Sequence, residues 1–224
     1  MTDSLDLSSV DTVVFDLDGT LIDSAPGIRD AVAVMTGKLD LPAPDLTTVI
    51  GFIGRGAPAL VERVLHWAGA DPSLRDRALA ILLDIYDTAP LQGTTAYPGA
   101  QALLADLHGR GMRLGLCTNK PAGPARAVLD ALGLGPFGAV AGGDSLPQRK
   151  PDAAPLLHVI SELGSTADRT LYVGDSITDW QTAQAAGVRY VHVDGGYQQA
   201  PIPDFAPTLR LARLSDLATS LSAA

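Results

Sequence analysis

After residue 99, short apolar runs alternate with segments in which apolar residues recur at helical spacing. This alternation is the feature that most limits the possible folds, because parallel strands need long crossover connections, which are usually helices. The spacing predicts strands at 113–117, 137–141, 170–173 and 188–193, and helices at 100–110, 122–132, 153–163, 179–186 and 214–221. We therefore expect an α/β fold with a doubly wound, parallel, Rossmann-like sheet.

The first part of the chain has a different pattern. The apolar run 12–15 predicts a buried strand, and the residues that follow show only helical spacing, from Ser24 onward and over 57–68 and 74–86. No convincing strand is predicted between Leu21 and Thr95. We therefore predict an inserted α-helical cap domain at 21–95 and a Rossmann-like core formed by 1–20 and 96–224.

Charge and hydropathy exclude several classes of protein. The 224 residues include 16 Lys and Arg against 25 Asp and Glu, a formal net charge of −9, without a basic cluster, so nucleic-acid binding is not expected. Charged residues interrupt every apolar stretch well before membrane-spanning length, and the acidic start does not resemble a secretory signal. With a single cysteine, Cys117, the sequence favours a cytoplasmic protein. We expect a monomer or a homodimer, and the sequence does not distinguish the two.

Polar residues follow four of the predicted strands. They would lie at the carboxyl edge of the sheet, where doubly wound sheets bind ligands. These residues are Asp16, Asp18, Gly19 and Thr20 after the first strand, Thr118, Asn119 and Lys120 after the second, Lys150 beyond the third, and Asp175 and Asp179 after the fourth. An isolated Asp-x-Asp-Gly is commonly just a turn. Together, however, three strand-end carboxylates suit Mg²⁺, which prefers hard oxygen ligands and phosphate oxygens.

The four strand ends resemble the four motifs of the haloacid dehalogenase superfamily of phosphatases. The matching segments are Asp-Leu-Asp-Gly-Thr-Leu at 16–21, Thr-Asn at 118–119, Lys-Pro at 150–151 and Gly-Asp-Ser-Ile-Thr-Asp at 174–179. They occur in order over nearly the whole chain, and the helical segment after the first motif resembles the small helical cap of that superfamily. Asp18 favours phosphate chemistry, because dehalogenases in the superfamily lack an acid at this position.

The resemblance implies that Asp16 is a nucleophile that forms an aspartyl-phosphate. It implies that Asp18 is the general acid and then the general base, with its backbone carbonyl on Mg²⁺. Lys150 and Thr118 would complete the catalytic group. The implied metal residues are Asp16, Asp18 and Asp175, with Asp179 holding a metal-bound water or Lys150. The implied substrate-binding residues are Gly19, Thr20, Arg55, Thr118, Asn119, Lys120 and Lys150.

Three stretches show a finer resemblance to the bacterial phosphoglycolate phosphatases, namely residues 50–60, residues 117–121, and residues 142–146 ahead of 149–151. The implied substrate, 2-phosphoglycolate, carries a carboxylate beside its phosphate and needs a cation near the mouth of the site. Arg55, in a Gly-Arg-Gly loop of the cap, and Lys120 are both candidates for that cation. A hydrolase of another small phosphate, such as a sugar phosphate or pyrophosphate, and a β-phosphoglucomutase-like phosphomutase remain alternatives.

Two other classes share parts of the pattern. Phospho-accepting receiver modules also have acidic residues, a Thr and a Lys on a doubly wound sheet, but they lack a cap and accept phosphate at a later strand. A binding protein on this fold without catalysis is the second alternative. The presence of Asp16, Asp18, Lys150 and Asp175 together disfavours it.

Overall fold

The computed structural model describes residues 9–89 and 91–221, and its centre is a six-stranded sheet. The sheet order is β5–β4–β1–β6–β7–β8, and every pairing in it is parallel. Its strands are β1 (Thr12–Phe15), β4 (Arg113–Cys117), β5 (Ala139–Ala141), β6 (Thr170–Gly174), β7 (Arg189–Val193) and β8 (Leu209–Leu211). The predicted doubly wound parallel sheet is confirmed.

Helices cover both faces of the sheet because successive strand residues point to opposite sides. Val13 and Phe15 pack in one hydrophobic cluster and Val14 in another. The first cluster includes residues of α5 (Ala100–Gly109), α6 (Ala122–Ala131) and α9 (Asp216–Ser220), and the second includes residues of α7 (Ala154–Glu162) and α8 (Ile177–Ala186). No helix within the described ranges is long and apolar enough to cross a membrane.

The segment between β1 and α5 forms a helical insert with its own apolar cluster. It consists of α1 (Ala25–Gly37), α2 (Leu46–Ile50), α3 (Gly56–Trp67) and α4 (Arg75–Thr88). Three of these helices each contribute a fully buried residue to this cluster, namely Val32, Val61 and Leu82. The five-residue α2 was not predicted, since it is too short to show periodicity; Asp45 caps it by accepting a hydrogen bond from Thr48 N at 2.8 Å.

The expectation of no strand between Leu21 and Thr95 is wrong. β2 (Ile22–Asp23) and β3 (Thr95–Ala96) pair antiparallel, at the two points where the helical insert leaves and rejoins the sheet. Two-residue strands carry no alternation that a sequence could reveal, and their partners are far apart in the chain. The edge strand β8 was missed for the same reason of length.

Register sets the position of the site. Phe15 pairs with Leu116 on one side and with Val173 on the other, so the neighbouring strands end beside β1. The residues that follow these pairs therefore emerge at one edge of the sheet. In this way Asp16, Thr118 and Asp175 are brought together although they are far apart in sequence.

Candidate active site

Three buried carboxylates meet at the carboxyl edge of the sheet. Asp16 follows β1, Asp175 follows β6, and Asp179 lies in the first turn of α8. One carboxylate oxygen from each lies within 4.8 Å of the others, and the three residues are at most 7 % exposed. We refer to them as the carboxylate triad.

Asp16 is the least satisfied member of the triad. Lys150 Nζ lies 2.8 Å from Asp16 Oδ1 and forms an ion pair with it. No other donor in the described ranges hydrogen-bonds to this buried oxygen. Burial, together with the negative charge of Asp179, raises the pKa of Asp16 to about 7 despite the opposing effect of Lys150.

The triad fits a divalent metal ion. Three carboxylates and the Lys150 ammonium give the cluster a formal charge of −2, which one divalent cation would balance. Burial and the charges of Asp179 and Asp16 raise the pKa of Asp175 well above its usual range, because both disfavour its ionised form. The unsatisfied Asp16 oxygen and the all-oxygen donor set are the chemistry that Mg²⁺ or a similar hard cation prefers.

Asp175 is held rigidly from two sides. Thr20 Oγ1 donates a hydrogen bond to Asp175 Oδ1 at 2.9 Å, and Tyr197 N donates to Oδ2 at 2.7 Å. Gly19 lies against the same carboxylate with φ +90°, and a Cβ there would come within 2.5 Å of Asp175 Oδ2. The structure therefore places Gly19 and Thr20 on Asp175, where they orient this carboxylate.

Lys150 is buried between two triad members. Its Nζ lies 2.7 Å from Asp179 Oδ1 and donates to the Tyr172 hydroxyl at 2.9 Å. Burial opposes its charge, yet the neighbouring carboxylates raise the pKa of Lys150, so it stays protonated. Burial likewise opposes ionisation of Asp179, but Lys150 and hydrogen bonds from Ser176 and Tyr172 outweigh it and lower the Asp179 pKa.

Sequence reasoning missed Tyr172. Its hydroxyl lies 2.8 Å from Asp179 Oδ1 and 3.1 Å from the backbone oxygen of Cys117. A tyrosine in the middle of a predicted strand looks like a core residue. Its fully buried hydroxyl, in a position where a phenylalanine would pack equally well, becomes informative only when the neighbours are known.

The side chain of Asp18 lies apart from the triad. Ser24 Oγ donates to Asp18 Oδ1 at 2.5 Å, and Lys120 Nζ lies 3.2 Å from the same oxygen. Lys120 also sits 5.2 Å from the centre of the Tyr86 ring, which belongs to α4 of the helical insert. Of the two cations predicted to read a substrate carboxylate, Lys120 is thus already paired with Asp18.

Thr118 and Asn119 occupy the loop after β4. Thr118 is buried, and its Oγ1 accepts a hydrogen bond from Lys120 N at 3.2 Å. Asn119 Nδ2 donates to Gly54 O and to Lys150 O, both at 3.0 Å, and Asn119 Oδ1 accepts from Lys150 N at 3.1 Å. Asn119 therefore joins the loop that carries Lys150 to the loop of the helical insert that carries Arg55.

Two cavities open from the same residues. The smaller, of about 40 Å³, is lined by Asp16, Asp18, Thr118, Lys120 and Lys150, and by Ile53, Leu60 and Tyr86 of the helical insert. The larger, of about 270 Å³, also reaches Asp16, Asp18 and Asp175 and is lined by Arg55 and Arg63. Both cavities lie between the sheet edge and the helical insert, as a site closed over a small substrate requires.

Arg63 is a second cation that sequence reasoning missed. It lies on α3, where its Nη1 donates to Phe52 O at 3.0 Å. Partial burial and the nearby charge of Arg55 lower the pKa of Arg63, and both arginines line the larger cavity. No carboxylate in the described ranges pairs with either of them, and Arg55 is exposed.

Comparisons with known proteins agree with this arrangement. The model of the haloacid dehalogenase-like hydrolase family matches residues 10–187. A phosphoglycolate phosphatase of Rhodospirillum rubrum is 48% identical over 197 residues, covering 85% of this chain and 82% of the relative, and one of Pseudomonas syringae pv. syringae is 38% identical, covering 92% and 77%.

Solved structures show the same fold. The crystal structure of a predicted phosphoglycolate phosphatase from Haemophilus somnus matches with a TM-score of 0.88 and 28% identity, covering 94% of this chain and 97% of that one. The resemblance seen in the four motifs is thereby confirmed over sequence and fold together. This chain belongs to the haloacid dehalogenase-like hydrolase family and is an enzyme of that family.

Proposed function

We propose that this enzyme hydrolyses phosphomonoesters through an aspartyl-phosphate on Asp16, with Mg²⁺ as cofactor and 2-phosphoglycolate as substrate. One observation carries the proposal. Asp16 is a buried carboxylate in which one oxygen makes no hydrogen bond beyond its ion pair with Lys150, and it lines a cavity that Asp18 also lines. A carboxylate left unsatisfied in this way is available as a nucleophile.

In the first step, a carboxylate oxygen of Asp16 attacks phosphorus, and the bond from phosphorus to the substrate's ester oxygen breaks. Asp18, in its protonated form, gives its proton to the departing alkoxide. In the second step, Asp18 takes a proton from water as the water oxygen attacks phosphorus. Phosphate leaves, and Asp16 is restored as a carboxylate.

The remaining residues prepare these steps. Bound Mg²⁺ would neutralise charge on the phosphoryl oxygens, and Asp16, Asp175 and the backbone carbonyl of Asp18 would hold it. Lys150 supplies a fixed positive charge beside Asp16, and Asp179 keeps that lysine in place at 2.7 Å. Thr118 would donate its hydroxyl hydrogen to the phosphoryl group, because that oxygen already accepts from Lys120 N.

The identity of the substrate rests on size and charge. The two cavities that Asp16 lines, of about 40 and 270 Å³, suit a small substrate, and relatives at 38–48% identity are named phosphoglycolate phosphatases. A substrate carboxylate needs a cation that is not already neutralised. Lys120 is paired with Asp18, whereas Arg55 and Arg63 line the larger cavity and have no carboxylate partner in the described ranges. Of these two arginines, Arg63 already donates to Phe52 O. Arg55 is therefore the preferred reader of the carboxylate.

The proposal includes the organisation of the chain. Residues 21–95 would act as a cap that closes on a core formed by 1–20 and 96–224, and closure would exclude water from the site. The contact of Asn119 with Gly54 O is one that closure would make. We further propose a cytoplasmic enzyme, monomeric or homodimeric, without a nucleic-acid partner, in keeping with the net charge of −9.

A panel of phosphoesters tests the function. With Mg²⁺, kcat/KM should be highest for 2-phosphoglycolate, lower for sugar phosphates, pyrophosphate and p-nitrophenyl phosphate, and no isomerised sugar phosphate should form. Excess EDTA should abolish turnover. Full activity in EDTA would contradict the metal assignment. A higher kcat/KM for another substrate would show that phosphoglycolate is not the preferred substrate. An isomerised product would show that the enzyme is a phosphomutase.

A further inference from the structure

Tyr197 connects the triad to the start of the helical insert. It lies in the loop after β7, and its backbone N–H donates to Asp175 Oδ2 at 2.7 Å. Its side chain reaches the other way. The hydroxyl accepts hydrogen bonds from Ser24 N at 2.7 Å and Ala25 N at 2.9 Å, and lies 2.9 Å from Asp23 Oδ1, to which it donates.

These bonds complete the first turn of α1. The first amides of a helix have no partner within the helix and need a cap, which commonly comes from the residue just before it. Ser24 occupies that position but makes no side-chain capping bond. The Tyr197 hydroxyl, from a residue more than 170 positions away, accepts from the amides of Ser24 and Ala25, and Ala25 N also donates to Asp23 Oδ1 at 3.2 Å.

The side chain of Ser24 is thereby left for another partner. Ser24 Oγ donates to Asp18 Oδ1 at 2.5 Å, a short bond to a charged acceptor. Ser24 is only 1 % exposed, so this contact is protected from water. The Asp18 carboxylate is thus held by Ser24 as well as by Lys120, and the backbone of Ser24 is held by Tyr197.

We propose that Tyr197 is a positioning residue for the proton transfers of Asp18. Its hydroxyl caps α1 from the sheet side of the site, which fixes Ser24 and through it the Asp18 carboxylate. This inference rests on the role of Asp18 given under the proposed function. Tyr197 joins the loop beside Asp175 to the first turn of the helical insert. Its hydrogen bonds therefore also fix the position of Asp18 relative to Asp175.

Tyr197→Phe removes the hydroxyl and keeps the ring and the backbone N–H on Asp175. Tyr97→Phe is the matched control, since the Tyr97 hydroxyl lies among the same carboxylates but makes no hydrogen bond in the described ranges. With 2-phosphoglycolate, kcat should fall about tenfold or more in Tyr197→Phe, a part of the full general acid–base contribution, while KM changes little. The control should retain the wild-type kcat.

A burst measurement separates positioning from general damage. p-Nitrophenolate departs without a proton, so the first step should survive in Tyr197→Phe, whereas water activation by Asp18 should slow. The variant should therefore release a rapid burst of nitrophenolate approaching one equivalent per active site, followed by slow turnover. Wild-type kcat without a burst, or an equal loss in both phenylalanine variants, would overturn the inference.

Amide hydrogen exchange tests the capping of α1 by the Tyr197 hydroxyl independently of activity. In the metal-free protein, the amides of Ser24 and Ala25 should exchange faster in Tyr197→Phe than in wild type or Tyr97→Phe, and unchanged exchange would overturn the inference. If Tyr197→Phe does not fold, Ser24→Ala provides the test. This variant removes the hydrogen bond to Asp18 and should show the same burst of nitrophenolate. A Ser24→Ala variant without the burst would count against the inference. A wild-type rate in Asp18→Asn would instead contradict the proposed function.

Discussion

The strand β1 has an aspartate at each end, and the two are in opposite electrostatic states. Asp11 precedes the strand and lies 2.7 Å from Arg113 Nη1, in contact with Arg169, and accepts from Thr12 Oγ1 at 2.8 Å. Burial acts to raise its pKa, but the hydrogen bonds from Arg169 and Thr12 and the charge of Arg113 lower it to about 2. The amino end of the strand therefore holds a satisfied carboxylate.

At the carboxyl end, only four residues of strand away, Asp16 is buried, repelled by Asp179 and left with an unsatisfied oxygen, and its pKa rises to about 7. The aspartate before β1 thus stabilises the folded state, whereas the aspartate after β1 destabilises it. The comparison teaches that the site keeps unfavourable charges in place, in an arrangement that a metal ion and a phosphoryl group would relieve. The predictions below test this contrast.

The largest expected effect is on turnover. Asp16→Asn should lower kcat by at least about 10³–10⁴-fold, because the amide oxygen is a poor nucleophile. Asp11→Asn should stay within about twofold of wild type, since this residue lies at the other end of the sheet. Steady-state rates with 2-phosphoglycolate and Mg²⁺ measure both. A near wild-type rate in Asp16→Asn would remove the covalent mechanism.

The second prediction concerns metal binding. At a Mg²⁺ concentration about 100 times Kd, the free energy of unfolding should rise by about 2.7 kcal/mol. Asp175→Asn should lose this stabilisation and Asp11→Asn should keep it. Ca²⁺ should inhibit turnover, because it accepts more ligands in looser geometry. Thermal unfolding with and without Mg²⁺ is the measurement, and an equal Mg²⁺ effect in both variants would place the metal elsewhere.

The third prediction concerns the preference of the enzyme for a substrate that carries a carboxylate. A charge-assisted bond from arginine to a carboxylate contributes about 1.5–3 kcal/mol, so Arg55→Ala should lower kcat/KM for 2-phosphoglycolate by about 10–150-fold. For p-nitrophenyl phosphate, which has no carboxylate, kcat/KM should barely change. Equal loss on both substrates would assign Arg55 to folding or to the phosphate, and Lys120 would become the preferred reader.

The smallest effect is on stability as a function of pH. The folded-state pKa of Asp11 is below its unfolded value, so its contribution is present above about pH 4 and is lost as pH falls toward about 2. After a discount for solvent screening, Asp11→Asn should destabilise the protein by about 1 kcal/mol at neutral pH, with the difference vanishing in acid. Urea unfolding at several pH values tests this.

Asp16 should show the reverse trend in the metal-free protein. Its folded-state pKa, about 7, exceeds its unfolded value of 3.8, so its favourable contribution is present below about pH 4 and is lost as pH rises through 7. Asp16→Asn should therefore stabilise the metal-free protein above pH 7 relative to wild type, and the gain should fade toward pH 4. The same sign of pH dependence for both variants would contradict the comparison.

Much of this contrast was visible in the sequence. The alternation after residue 99 predicted the parallel sheet, and Asp-Leu-Asp-Gly-Thr after β1 distinguished Asp16 from Asp11 as a candidate site residue. The structure brings Asp16, Lys150, Asp175 and Asp179 together at the edge of the sheet where they were expected. Strand-end positions are predictable because they depend on local periodicity and on the direction of parallel strands.

What escaped prediction depends on contacts between distant segments. The ribbon of β2 and β3 and the edge strand β8 are too short to show alternation. Tyr172, Tyr197 and Arg63 appear in sequence as a core residue, a loop residue and an exposed helix residue. Each gains its place in the site from partners that lie 7 to 174 positions away, and no local pattern encodes such pairings.

Trapping the phosphorylated enzyme tests the central claim most directly. In Asp18→Asn the water-activating carboxylate is missing, so p-nitrophenyl phosphate with Mg²⁺ should leave a phosphoryl group on the enzyme that survives an acid quench. Peptide mass spectrometry should find the mass of one phosphoryl group on Asp16, absent when Mg²⁺ is omitted. A phosphoryl group on any other residue, or none during continuing turnover, would contradict the assignment of Asp16 as the nucleophile.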